Sequence, residues 1–377
     1  MQLSCAKNAN YLFTFAHISF WVKDALYIER CLQLAEKAKG AVAPNPMVGA
    51  VLVHQGRIIG EGFHQHYGQA HAEVNCFDTV APEDKHLIAE SSLYVSLEPC
   101  AHYGKTPPCA NRIVQEGVKR VVICNTDPFE KVAGKGIQIL KDSGIEVLSG
   151  ILEEKGSWLN RRFFTFYQQQ RPYIILKWAQ TTNGFFAPKD RTRFQLTDDF
   201  SSRLSHQWRS EESAILVGFT TAMNDNPQLI NRYGQGPQPL RIAIDKDLQL
   251  PSSHHLLAQD YPTWIVNQHK EETSGHLHFI QLDFKQDIIP QILNRLYQAN
   301  ILSLIVEGGV HLLHSFIEAG IWDEARVFKS PNILTEGLSA PILTHAQQVW
   351  HTNLRQDVLT VHLQQSNLFS MPSGADL

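Results

Sequence analysis

His71-Ala72-Glu73, then Glu98-Pro99-Cys100, then Cys109 form the pattern that most limits how this chain can fold. One imidazole and two thiols are borderline or soft donors, the set that suits zinc. A structural zinc site normally closes with four protein ligands, whereas a catalytic one leaves a position to water. Only three donors stand in the pattern, and Glu73 is too close to His71 to act as an independent fourth arm. The fold must therefore bring positions 71, 100 and 109 to one point with a carboxylate beside them. Taken singly, His71 is an ordinary histidine, and Cys100 and Cys109 are buried thiols, more often than ligands. The joint register carries the weight. His64, His66 and His102 are competing donors.

H-x-E followed by P-C and a second Cys is the arrangement of zinc deaminases, in which the Glu moves protons and does not bind the metal. Zinc lowers the pKa of its water to about 7. Glu73 would take the water proton and relay it to a ring nitrogen and then to a departing amine. His71 is expected to open a helix and Cys109 to begin another, so helix dipoles would favour the thiolates. The usual spacing of the cysteines is C-x-x-C; here Ala101 to Pro108 intervene, which reads as a specificity loop.

The rest of the composition narrows the field. At roughly 150 residues per domain, 377 residues predict two domains. Apolar residues at 43% and charged residues at 19% exclude a disordered chain. A net charge of −4 gives no bulk grip on nucleic acid or an anionic membrane. No run approaches the roughly 20 apolar residues of a membrane span. Six cysteines are too sparse for a disulfide scaffold, and Cys31, Cys76 and Cys124 sit among apolar neighbours, so a reducing, cytoplasmic setting is expected. Residues 11–22 are aromatic-rich, but Thr14, His17 and Ser19 interrupt them and no small-x-small cleavage site follows. Residues 1–23 are expected to form an N-terminal arm and 366–377 a tail.

Strands and helices alternate. Asp24 is placed as the cap of a helix running to Gly40, with Ala25, Ile28, Leu32 and Ala35 on one face. Residues 48–54 and 57–62 read as a hairpin turned by Gln55-Gly56. A helix over 71–80, a strand over 92–97, a helix over 107–117, a strand over 120–125, a helix over 136–144 and strand IEVL follow. The run Gln168 to Pro172 reads as a linker between domains at 24–167 and 173–365. Beyond it 173–178, 214–218, 240–245, 263–266 and 302–309 read as strands, and 287–299 and 310–319 as helices. Continuous apolar strands such as AILV fit a sheet buried on both faces.

AHAEV and SLEPCAHYGKTPPCANRI closely resemble the bifunctional riboflavin-biosynthesis deaminase–reductases, as do Asn45-Pro46, His64 and DPFEKVAGKGI. The resemblance runs from about residue 24 to 363. It implies a cytidine-deaminase-like α/β/α domain fused to a dihydrofolate-reductase-like α/β domain, with Zn2+ and NADPH as cofactors. The substrate would be a small pyrimidine ribosyl phosphate, and the assembly a homodimer or larger homo-oligomer. His71, Cys100 and Cys109 would bind zinc and Glu73 would be the proton carrier. Asn45, His64, His102, Lys105, Arg209, Leu229, Arg232 and Glu307 would face substrate. Lys177, Gln195, Thr197, Thr221, Asp225, Gly308, Gly309 and Val310 would face NADPH.

Departures stand beside these matches. Arg193 to Asp198 (RFQLTD) replaces the family's Ser-x-Trp-Ile-Thr-Ser, and Thr181 to Gly184 (TTNG) replaces Ser-Leu-Asp-Gly. Gln195 cannot stack on an aromatic ring as Trp does. Three other readings therefore remain: a deaminase with a non-catalytic nucleotide-binding module, a structural zinc protein, and a nucleic-acid-editing deaminase, which the missing basic surplus disfavours.

Overall fold

The computed structural model describes residues 15–101, 107–129, 132–190, 194–234, 236–367 and 369–373. In it the chain forms two compact units. Residues 15–37 with 48–156 make the first, and 38–47 with 157–373 the second.

In the first unit the elements run α1 (Phe15–Glu36), β1 (Gly49–His54), β2 (Arg57–Phe63), α2 (Ala72–Asp78), a 3-10 segment (Pro82–Glu90), β3 (Ser92–Leu97), α3 (Cys109–Glu116), β4 (Arg120–Asn125), α4 (Lys135–Asp142) and β5 (Glu146–Ser149), with α5 (Glu153–Leu159) at its end. The sheet order is β2-β1-β3-β4-β5. The β1–β2 and β1–β3 pairs are antiparallel, and β3–β4 and β4–β5 parallel. Leu52, Leu93, Val95, Val121 and Ile123 face α2, α3 and α4 in one core. Ile28, Cys31 and Ala35 of α1 are buried.

α1 corrects two expectations. It begins at Phe15, so the described part of the expected arm is helical, and Asp24 lies inside the helix instead of capping it. Asp24 is buried, accepting from Tyr94 Oη at 2.9 Å and from both terminal nitrogens of Arg120 at 2.8 and 2.9 Å. Its partners lie 70 and 96 residues away, outside the reach of a local pattern.

In the second unit come α6 (Arg161–Gln169), β6 (Tyr173–Thr181), β7 (Phe185–Pro188), α7 (Asp199–Glu211), β8 (Ala214–Val217), α8 (Phe219–Asp225), β9 (Leu240–Ile244), β10 (Thr263–Asn267), β11 (Glu272–Ser274), β12 (Leu277–Gln281), α9 (Ile288–Gln298), β13 (Ser303–Val306), α10 (Val310–Glu318), β14 (Glu324–Ser330), β15 (Gly337–Ser339), β16 (Ala346–Leu354) and β17 (Asp357–Gln364). One sheet takes the order β11-β12-β10-β9-β8-β13-β6-β14-β17-β16, and β7 pairs with β15 separately. From β12 to β14 all pairs are parallel. Ile174, Leu176 and Trp178 of β6 join one core with α9 and α10, while Tyr173 and Ile175 join a second core with Trp208 of α7. Period-two alternation thus feeds two apolar layers, and the expected doubly covered sheet is present.

The run 168–172 includes the end of α6. That helix is tied to the second unit: Arg161 pairs with Glu324 at 3.3 Å, and Arg162 Nε with Glu212 at 2.7 Å. The strand expected over 302–309 ends at Val306, and 307–309 turn into α10. α7 escaped sequence reading because its buried residues Ser201, Ser205, His206 and Trp208 are mostly polar. Asp198 nonetheless caps it, accepting from Ser201 N at 2.8 Å.

Candidate functional site

His71 is the N-cap of α2, and Glu73 lies in the first turn. Cys100 follows the end of β3, and Cys109 is the first residue of α3, after Pro108. The imidazole Nδ1 and the two Sγ atoms all lie within 4.8 Å of one another, the one such cluster of donors among the described residues. His71 Nδ1 is 3.6 Å from Cys100 Sγ and 3.2 Å from Cys109 Sγ. Zn–S near 2.3 Å and Zn–N near 2.1 Å at a tetrahedral angle put N and S roughly 3.6 Å apart. The donor set and its spacing therefore fit zinc, with His71 Nδ1 as the ligating nitrogen.

The amide of Cys109 donates to Cys100 Sγ at 3.3 Å, so the first turn of α3 favours negative charge on that sulfur. Of the two thiols, Cys100 is lowered, chiefly by the hydrogen bond from Cys109 and further by His71. Cys109 is raised, chiefly by Cys100. Glu73 is 3% exposed, and burial pushes its carboxyl above the ordinary range against the pull of His71. It lies two residues from His71 in the first turn of α2, and the Cys100 and Cys109 thiols both act on its carboxyl, so it stands beside the donors, where a proton carrier must be. His64 is buried, its Nδ1 lies 3.0 Å from Ala70 O, and its ring meets His71 edge-on at 5.2 Å. Asn45 lies in 38–47, which belongs to the second unit. His102 and Lys105 lie outside the described residues.

The second unit carries a cleft of about 750 Å³. Val217, Ile244 and Glu307 line it from the carboxyl ends of β8, β9 and β13, the edge where parallel sheets bind ligands. Arg209, Leu229, Arg232, Thr221, Asp225, Gly309 and Val310 also line it. Arg209 grips Glu307 with Nε at 3.0 Å and a terminal nitrogen at 2.6 Å, and Lys177 Nζ stands 3.9 Å behind. Burial alone would raise Glu307, but Arg209 and Lys177 outweigh it and hold the carboxyl at about 2. Lys177 is lowered by the same burial.

Gly308 has φ +129°, a conformation that excludes other residues, and a Cβ on Gly309 would meet Thr221 Oγ1 at 3.0 Å. Gly309 caps α10 without a side-chain bond, so the first amides of that helix are open to a phosphate-bearing ligand. The cleft's size and this bare helix start fit a dinucleotide. Lys177, Gly308, Gln195 and Thr197 are not lining residues; exposed Gln195 donates to Thr197 O at 3.3 Å instead. Phe194 lines the cleft in their place, with Phe186, Gly218, Ser315 and Leu338. Sequence reading missed these. Gly218, the glycine that ends AILVG before α8, was the one detectable signal.

Residues 22–125 match the family described as the cytidine and deoxycytidylate deaminase zinc-binding region, and residues 172–367 match the RibD C-terminal domain. The chain is 40% identical over 321 residues to the riboflavin biosynthesis protein RibD of Aquifex aeolicus (strain VF5), covering 84% of this chain and 89% of that protein. It is 37% identical to that of Bacillus amyloliquefaciens, covering 85% and 87%. The crystal structure of a diaminohydroxyphosphoribosylaminopyrimidine deaminase/5-amino-6-(5-phosphoribosylamino)uracil reductase from Thermotoga maritima is similar with a TM-score of 0.83 at 32% identity, covering 92% of this chain and 99% of that one. No helix among the described residues is long and apolar enough to cross a membrane.

Proposed function

Because the chain belongs to the RibD family of riboflavin biosynthesis, we propose that its two units divide the family's two reactions between the sites just described. The enzyme is bifunctional. It hydrolyses an exocyclic amine from 2,5-diamino-6-ribosylamino-4(3H)-pyrimidinone 5′-phosphate. It then reduces the ribosyl side chain with NADPH to give 5-amino-6-ribitylamino-uracil 5′-phosphate. We assign deamination to the part of 24–167 that lies in the first unit and reduction to 173–365 of the second.

The observation that carries the first assignment is the convergence of His71, Cys100 and Cys109 beside a buried Glu73. These three donors would hold zinc, which when bound would supply an acidified water as nucleophile. The Glu73 carboxylate accepts the water proton and returns it to the ring nitrogen and the departing amine. Its burial keeps bulk water from competing for that proton. Asn45, His64, His102 and Lys105 are assigned to substrate, with Lys105 meeting phosphate as a point charge.

In the second unit NADPH supplies the hydride. Glu307, held ionised by Arg209 and Lys177, accepts hydroxyl hydrogens of the ribosyl chain. Arg232 at the cleft wall faces the phosphate. The amides at Gly309 and Val310 face the cofactor, together with Thr221, which packs against Gly309, and Asp225 of the same cleft lining. Phe194, which lines the cleft, takes the ring contact that Gln195 cannot make. A deaminase with an inert C-terminal module is not favoured, since the RibD C-terminal family match spans 172–367. Reduced thiols and NADPH suit the cytoplasm, and the family likeness suits a homodimer, which sedimentation tests directly.

Metal analysis with coupled assays tests the whole reading. One zinc per chain, ammonia release and subsequent NADPH oxidation are expected. Ammonia release without NADPH oxidation would return the second unit to a binding module.

A further inference from the structure

Glu98 is neither a zinc donor nor a group the deamination uses, yet it is buried at 3% exposure two residues before Cys100. Its amide still pairs with Asn125 O at 2.9 Å, continuing β3 alongside β4. Its carboxylate accepts three backbone amides from beyond β4: Asp127 N at 3.2 Å, Gly134 N at 2.9 Å and Ile137 N at 3.1 Å. Two of these belong to the start of α4, whose own N-cap, Gly134, has no side chain to offer. Glu98 thus caps α4 from another strand, a charge-assisted arrangement at a helix's positive end. The next residue is locked as well. A Cβ on Gly136 would overlap the Pro99 carbonyl oxygen, so only glycine lets α4 seat against this strand end. On the far side of the ligand, Cys100 O accepts from Ala110 N at 3.2 Å.

A strand end without such ties is free to splay, and Cys100 would move with it. We infer that Glu98 and Gly136 form a clasp between the end of β3 and α4 that positions Cys100 for zinc, making Glu98 a positioning residue of the metal site. The inference rests on the zinc reading above. Groups that orient metal ligands typically change affinity 10–100-fold when removed. Glutamine at 98 turns one acceptor oxygen into a donor that faces backbone N–H groups, so the clasp loses both charge and partners. Alanine at 136 pushes the Pro99 carbonyl away and sets its Cβ 3.3 Å from Glu98 Oε1, so it strains the clasp while keeping the carboxylate's charge.

The test compares the full-length native chain with Glu98→Gln and Gly136→Ala. Zinc release to a chelator is followed on chains whose reductase activity is native, an internal measure of folding. Cobalt(II)-loaded chains are compared by their d–d absorption, which reports coordination geometry and is indifferent to a peg that merely stabilises α4. Zinc release faster by about 10–100-fold and a shifted cobalt spectrum in both variants are expected. Native release rates and an unchanged spectrum in either variant would overturn the clasp and leave the zinc reading standing. A native chain that binds no zinc would overturn that reading and the clasp together.

Discussion

Arg209 and Glu307, 98 residues apart in the chain, meet in a two-pronged ion pair in the lining of the second unit's cleft. Both are mostly shielded from solvent, their side chains 13% and 8% exposed, and Lys177 adds a second positive charge to the carboxylate. On the proposed function the pair keeps an acceptor ionised for substrate hydroxyls, and it also bears on stability.

Replacing Arg209 with leucine removes both hydrogen bonds to Glu307 and leaves it Lys177 at 3.9 Å. Breaking one side of a buried pair typically costs ~3–5 kcal/mol. Denaturant unfolding of the second unit should show a loss of that order, together with loss of NADPH oxidation. A stability within ~0.5 kcal/mol of native, the range of ordinary surface changes, would mean that the pair is not formed.

Acid should unfold the second unit through its depressed carboxyls. Glu307 and Glu212 are held at about 2, and Glu324 is driven lower still, all against burial by neighbouring arginines. Folded-state values lie below the ordinary 4.5, so the stabilisation is complete above that pH and is lost as pH falls toward 2. Unfolding followed by tryptophan fluorescence from pH 6 to about pH 2 should show it. A flat profile would contradict the ion pairs.

Glu73→Gln should keep zinc and the reductase while ammonia release falls by ~10²–10⁴-fold, the usual worth of a positioned proton carrier. Zinc content and turnover measured on the same sample check this; surviving deamination removes Glu73 from the reaction.

Stripping zinc with a chelator should abolish deamination and spare reduction of already deaminated substrate, since the donors all belong to the first unit. Cys109→Ser should behave likewise. Loss of both activities would show that the units are not independent.

Gly309→Ala places a methyl against Thr221 Oγ1 and over the opening of α10. A KM for NADPH raised about tenfold, or ~1.4 kcal/mol, is expected with deamination unchanged. An unaltered KM would move the cofactor off this helix.

The candidate zinc donors were legible because spacing and residue type together restrict them, and His71 and Cys109 stand at helix starts while Cys100 follows a strand end. The reductase cleft was less so. Phe194 and Phe186 reach it through loop and edge geometry that no period encodes, and Gln195, one residue away from Phe194, turns back on Thr197. α7 stayed hidden because half-polar burial blurs the apolar stripe, although its Asp198 cap stood in plain view.

By itself the sequence determined the alternating α/β layers, the three metal donors with their acid, and the glycines before α10. These depend on local period, residue chemistry and backbone freedom. Only tertiary structure decided that Asp24 serves Arg120 from inside a helix, that α6 is bound to the second unit, and that Glu98 caps a helix on another strand's far side. Each of those is a pairing of buried charge with a partner far along the chain. The cost of burying such a group is set by what the fold places opposite it, and no window of sequence contains both ends.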